Sequence, residues 1–156
     1  MNKYLKLTVS ILIPLLIGLA GSFFTSSSVS TWYTTIQKPS FNPPNWIFGP
    51  VWTLLYIMIG LSFYFIWVKL SAAEFKLQFV VYSFQLLLNF LWSVLFFGLR
   101  NPLLSFIEIV LLWLSILYLV LSFYKLSAIS SFLLIPYLLW VTFASILNLS
   151  IVILNR

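Results

Sequence analysis

Charge is what this chain has least of. Only 6% of its 156 residues are charged and two of those are acids, whereas 63% are hydrophobic. A soluble domain usually carries roughly a quarter of its residues as charges, so this composition cannot build a solvated surface. Cysteine is absent, which excludes disulfides and thiol chemistry and leaves the redox compartment unreadable. Histidine is absent as well, which excludes the usual zinc sites and a Ser-His-Asp or Cys-His nucleophile. The methionines are Met1 and Met58. Haem is normally held by His, Cys, Met or Tyr, so a tyrosine is the main axial ligand left. The net charge of +6 comes from scattered cations. They form no patch of the kind that nucleic acid requires and read as headgroup anchors at helix ends.

What is there is apolar and long. Five hydrophobic runs fill the chain, and about 20 apolar residues of helix cross a bilayer. The expected fold is an all-α integral membrane protein, a bundle of five transmembrane helices in one domain over residues 1–156. The spans cover about 7–24, 47–68, 77–97, 103–124 and 128–154, with a capping loop over about 25–46. Lys3 and Lys6 before the first run resemble a signal peptide's basic start. The run is longer than an ordinary signal core, so it is read as a retained span. Gly18 and Ser22 within it form a small-xxx-small pair suited to close helix approach.

The long loop holds Trp32, Tyr33, Lys38, Pro39, Pro43, Pro44 and Trp46. Prolines at this density stiffen the backbone and block a regular helix. Such a segment reads as a lid over the bundle or as an aromatic belt at the headgroups. Shorter breaks follow at Lys69–Lys76, Gly98–Pro102 and Lys125–Ser127, and Pro136 lies inside the last span as a candidate kink. Lys3, Lys6, Lys69, Lys76 and Lys125 fall on one side, against Lys38, Arg100 and Arg156 on the other. This excess favours a cytoplasmic N-terminus with the proline loop outside.

Polar residues inside the spans carry the functional signal. Gln78, Tyr82, Gln85, Asn89 and Ser93 lie on one helical face. Amides facing hydrocarbon would lack partners, so this face points into the bundle, either as interhelical glue or as the lining of a cavity. Trp52, Tyr56, Gly60 and Phe63 share a face of the second span, and Tyr137, Trp140, Ala144 and Asn148 share one of the fifth. Aromatics beside small residues leave room for a flat, apolar guest. Glu108 is the acid within a span and shares a face with Ser105, Ser115 and Ser122. An intramembrane carboxyl is a functional hypothesis by default. Its alternative is a protonated acid bonded across a helix interface.

These residues occur in motifs that resemble the TspO/MBR family of translocator and tryptophan-rich sensory proteins. The first span reads Gly18-Leu-Ala-Gly-Ser22, and the loop reads Trp32-Tyr33, Lys38-Pro39-Ser-Phe41 and Pro43-Pro44-Asn-Trp46. The second span reads Pro50-Val-Trp52-Thr53-Leu-Leu-Tyr56, and the third Gln85-Leu-Leu-Leu-Asn89-Phe-Leu-Trp92 with Phe96-Phe-Gly98. The last reads Pro136-Tyr137-Leu-Leu-Trp140-Val-Thr-Phe143-Ala144 with Leu147-Asn148.

The resemblance implies a dimeric five-helix bundle with a loop-capped pocket for tetrapyrroles such as protoporphyrin IX. The matching ligand-binding positions are Trp32, Tyr33, Trp46, Trp52, Tyr56, Asn89, Trp92, Trp140 and Ala144, and Glu108 matches an acid position. It also implies a bacterial or archaeal cell membrane, membrane lipid as surroundings, no nucleic-acid partner and no required cofactor. Porphyrin is then ligand or substrate. Trp52 and Trp140 match the indoles of a proposed light- and oxygen-dependent porphyrin breakdown. The Leu/Val–Tyr–Lys/Arg pattern of cholesterol-binding relatives is missing, since the end of the fifth span from Leu147 to Arg156 contains no tyrosine.

Three functions stay open: a receptor that stacks a macrocycle on Trp52 and Trp140, a photo-oxidative enzyme, and a transporter. For the first, Asn89, loop backbone and Lys38 are the candidate donors to the macrocycle's carboxylates.

Overall fold

The computed structural model describes residues 2–156, the side chains of 72–74 excepted. The described residues form helices joined by short breaks and one longer non-helical stretch over 36–44, with no strands among them. Helix α1 covers Lys3–Val29, α2 covers Trp32–Thr35, and a 3-10 turn at Asn45–Ile47 leads into α3, Phe48–Lys69. Helix α4 covers Ala72–Ser93 and runs on through a π turn at Val94–Gly98; α5 covers Pro102–Leu126 and α6 Ala128–Leu154. All but α2 and the turns are long and apolar enough to cross a membrane, five spans in all. The protein is a multi-pass membrane protein.

Helix ends explain the boundaries. Asn2 opens α1 by accepting the Tyr4 N–H at 3.0 Å, and Asn101 opens α5 by accepting the Leu104 N–H at 3.0 Å. Each supplies one of the acceptors that a first turn lacks. Pro102 follows at the position where its missing N–H matters least. The chain reverses just before it, with Arg100 at φ 53° in the left-handed region. The break between α3 and α4 is shorter than the polar stretch 69–76 suggests. Leu70 is extended, the Ser71 carbonyl already accepts the Phe75 N–H at 3.0 Å, and the side chains of 72–74 lie outside the described residues.

Helix α1 is longer than the span read from sequence. Its polar end, Thr25-Ser-Ser-Ser28, reads as loop, because Ser and Thr favour turns and caps. In the folded chain the hydroxyls turn back on their own helix: Ser26 Oγ donates to the Phe23 carbonyl at 3.3 Å and Ser27 Oγ to that of Phe24 at 2.9 Å. Ser28 Oγ reaches across to the Phe97 carbonyl at 2.7 Å and is buried. This tie fixes the end of α1 to the π turn of α4.

The two ends of the bundle are held differently. At the N-terminal end of α1, Lys6 Nζ donates to the Trp67 carbonyl at 3.2 Å and sits over the Trp67 ring, and Lys69 Nζ donates to the Leu126 carbonyl. Each lysine meets the negative end of a helix dipole. Buried Ile59, Ile66, Ile116, Leu119, Phe123 and Leu134 fill this half as a continuous core. The opposite half holds a smaller aromatic cluster around Tyr33, Phe96 and Phe97, and there the bundle is hollow.

Candidate binding site

The hollow has a volume of about 610 Å³, within the range of small-molecule sites. Four spans and the loop wall it. Helix α3 contributes Phe48, Trp52 and Tyr56; α4 contributes Asn89, Trp92 and Phe96; α6 contributes Trp140, Phe143, Ala144 and Asn148. Helix α1 closes the remaining side with a stripe of small residues, among them Gly18, Gly21, Ser22 and Thr25. The aromatic side is a connected array. Trp52 stacks on Tyr56 at 5.5 Å and meets Tyr137 edge-on at 6.2 Å. Trp140 contacts Phe48 at 6.1 Å and Phe143 at 5.4 Å, and Trp92 stacks on Phe96 at 5.0 Å.

A hydrogen-bonded chain holds these rings from behind. Tyr56 OH donates to Asn89 Oδ1 at 2.5 Å, Asn89 Nδ2 donates to Tyr137 OH at 3.0 Å, and Tyr137 OH donates to Gln85 Oε1 at 3.0 Å. A second hub lies one turn nearer the loop. Asn148 Oδ1 accepts from Trp92 Nε1 and from Ser105 Oγ, both at 3.1 Å, and Asn148 Nδ2 donates to the Pro102 carbonyl at 2.8 Å. The α4 stripe is thus glue and lining together: Gln78 accepts from Ser122 Oγ at 3.1 Å and stays outside the hollow, whereas Asn89 joins three helices and also faces it.

The proline loop lies across the open end as a strap. Its Tyr33 is buried, borders the hollow and donates through OH to Asn42 Oδ1 at 2.6 Å. Burial pushes the Tyr33 phenol up to about 12, outweighing the opposing effect of its bond to Asn42. Lys38 Nζ donates to the carbonyls of Tyr33 at 2.6 Å and Ile36 at 3.0 Å and lies 4.9 Å from the Tyr33 ring centre. The strap is clipped to the end of α6 by a pair of bonds: Gln37 N–H donates to Asn155 Oδ1 and Asn155 Nδ2 to the Gln37 carbonyl, each at 2.9 Å.

Seven of the nine ligand positions named from the sequence come together on this wall: Tyr33, Trp52, Tyr56, Asn89, Trp92, Trp140 and Ala144. Trp32 packs edge-on behind Phe96 at 5.5 Å and does not line the hollow. Trp46 sits in the 3-10 turn at 73% exposure, also off the wall. Among the described residues, no three His, Cys, Asp or Glu side chains gather as a metal site would need.

The sequence over residues 10–154 matches the family model described as the TspO/MBR family. The chain belongs to the TspO/MBR family. It is 49% identical over 151 residues to the tryptophan-rich protein TspO of Archaeoglobus fulgidus, covering 97% of both chains. It is 46% identical over 160 residues to the protein of the same name from Chlorobaculum tepidum, covering 99% of both. The tryptophan-rich sensory protein of Cereibacter sphaeroides is 33% identical over 124 residues, covering 80% of this chain and 77% of that one.

Within this TspO/MBR chain, Glu108 stands apart from the hollow. It is buried on α5, and neither carboxyl oxygen has a hydrogen-bond partner among the described residues. A buried charge without a partner would be strongly destabilising, so a neutral group should serve equally well at this site. Glu108→Gln is expected to leave thermal unfolding in detergent and ligand affinity unchanged. A large loss of either would show that the ionised carboxylate is needed.

Two features of the site escaped the sequence reading. Asn148 was visible as a face residue, but its role as a hub for Trp92 and Ser105 needs the α5–α6 packing. The α1 wall had a signal: Gly18, Gly21, Ser22 and Thr25 recur at helical spacing, the mark of one smooth face.

Proposed function

We propose that this protein is a membrane receptor, in the sense of a sensor, for flat and largely apolar ligands of the tetrapyrrole class, with protoporphyrin IX as the representative. The supporting observation is the pairing of two broad indoles, Trp52 and Trp140, with a smooth α1 wall across a hollow of about 610 Å³. Aromatic faces bind a flat conjugated guest by area and by stacking, and the small residues opposite leave the gap open. The polar needs of the guest fall to few groups. The Trp92 and Trp113 indoles donate within the protein, whereas those of Trp52 and Trp140 have no hydrogen-bond partner among the described residues. Lys38 is engaged with strap carbonyls, so its part is to hold the strap, and the ligand's carboxylates fall to the free indole N–H groups and loop backbone. This function requires no cofactor.

Titration of purified protein with protoporphyrin IX, followed by its absorbance shift and by quenching of tryptophan emission, tests the reading. Trp52→Phe and Trp140→Phe should each weaken affinity by about tenfold, the value of one lost good aromatic contact. Absence of saturable binding, or unchanged affinity in both variants, would overturn it. The same indoles line the hollow, where they could exchange electrons with a light-excited guest while dioxygen serves as the oxidant, and this favours a second reading as a photo-oxidative enzyme. Aerobic illumination of the complex should then bleach the porphyrin, more slowly in both variants.

A further inference from the structure

We propose that the hollow is filled from the bilayer, through a lateral slot between α1 and α3, and not through the strap. The inference rests on the receptor reading for its ligand but on separate geometry for its route. A closed cavity has buried walls. Here six lining residues are exposed, and all lie on two edges: Leu19, Ser22 and Ser26 of α1, and Asn45, Gly49 and Thr53 at the start of α3. The lining residues from α4 and α6 are all buried or partly buried. The opening therefore has one direction.

The two edges are parted by packing farther down. Gly60 of α3 lies against the α1 backbone, so closely that a Cβ there would meet the Ser10 carbonyl oxygen at 2.5 Å and Ile11 Cα at 2.7 Å. Above this crossing the Tyr56 ring wedges against Gly18, where a Cβ would meet it at 2.1 Å. Beyond the wedge the α3 edge is open at Gly49, where a Cβ would meet no atom within 4 Å outside its own chain neighbours and helix backbone. The helices touch at one end and splay at the other, and the slot is the splayed part.

Its chemistry suits hydrocarbon. Ser22 Oγ donates to the Leu19 carbonyl at 2.6 Å, Ser26 Oγ to that of Phe23 at 3.3 Å, and Thr53 Oγ1 to that of Gly49 at 2.9 Å. Each rim hydroxyl directs its proton into its own helix, which leaves the Asn45 amide, at the strap end, as the polar side chain the rim presents. The strap offers the opposite case. It is fastened by the Tyr33–Asn42 bond, the Lys38 bonds and the double clip to Asn155, all of which a guest from the aqueous side would have to open.

Gly49 is a place for a plug, with open space where its side chain would stand. In liposomes loaded with protoporphyrin IX, Gly49→Phe should slow both association and dissociation by about tenfold, equivalent to about 1.4 kcal/mol of barrier, whereas faster dissociation with unchanged association would overturn the slot. Ser22→Phe is the independent plug from the other edge, and Asn155→Ala, which unclips the strap, should change neither rate. Unchanged rates in both plugged variants, or faster exchange in Asn155→Ala alone, would overturn the slot. If the wild-type protein shows no saturable porphyrin binding, the receptor reading fails and the slot is judged by lipid alone. In bilayers brominated on the acyl chains, the share of emission quenching lost in Trp52→Phe reports chain access to the hollow. Gly49→Phe should abolish that share, and an unaltered share would overturn the slot.

Discussion

Gly60→Ala is expected to destabilise the bundle by about 1–3 kcal/mol, the usual range for overpacking a filled interior. The added carbon would stand 2.5 Å from the Ser10 carbonyl oxygen and 2.7 Å from Ile11 Cα. Both are backbone atoms, which cannot rotate aside as a side chain does, so α1 must move away from α3. Helix propensity opposes this result, since alanine gains about 1 kcal/mol over glycine inside a helix. The sign of the change therefore decides which term wins. Gly49→Ala is the control, in the same helix with no contact from another helix; its one new crowding is against the Pro50 ring, so its loss should be smaller than that of Gly60→Ala. Thermal unfolding in detergent, monitored by tryptophan emission, separates the two. Equal or higher stability for Gly60→Ala would mean that the α1–α3 crossing is looser than described. Since α1 is a wall of the hollow, the same variant should also weaken ligand binding, which Gly49→Ala should not.

That crossing shows where sequence reading succeeds and where it stops. Trp52, Tyr56, Gly60 and Phe63 do share a face of α3, as their spacing says. The face is used in three ways because depth matters as well as angle. Trp52 and Tyr56 lie at the hollow end and line it. Gly60 lies lower and receives the α1 backbone. Phe63 lies near Tyr82 and stacks on it at 3.9 Å. Periodicity gives the direction of a side chain around the helix axis and says nothing of whether the neighbouring helix is close at that height. The five spans were legible because a run of apolar residues has no alternative in lipid. The buried α4 stripe was legible for the same reason. The α1 wall was legible only as a small-residue face at Gly18 and Ser22, suited to helix packing; small residues carry no chemistry that marks a cavity, and the Thr25–Ser28 end looks like a loop. Trp46 shows the converse: a tryptophan in a family motif draws attention, yet its side chain is exposed and does not line the hollow.

Asn89→Ala should cost about 2 kcal/mol, because it orphans a buried hydroxyl and unpins another. Tyr56 OH would lose its acceptor, and Tyr137 OH would lose the amide N–H that it accepts while still donating to Gln85. Interhelical hydrogen bonds in membranes are often worth well under 1 kcal/mol, because the unfolded state finds other partners. The loss here should be larger because Tyr56 and Tyr137 are both buried. A double-mutant cycle isolates the effect. Tyr56→Phe removes the hydroxyl that Asn89→Ala orphans, so Tyr56→Phe/Asn89→Ala should unfold closer to wild type than the sum of the two single variants predicts. Strict additivity would show that the Tyr56–Asn89 bond contributes nothing to the fold. The consequence for binding follows from the stacking order. Trp52 leans on the Tyr56 ring, and the Tyr56 ring is aimed by its bond to Asn89. Cutting that bond frees an indole of the hollow without touching it, so Asn89→Ala should weaken porphyrin binding more than the loss of one small amide from the wall explains.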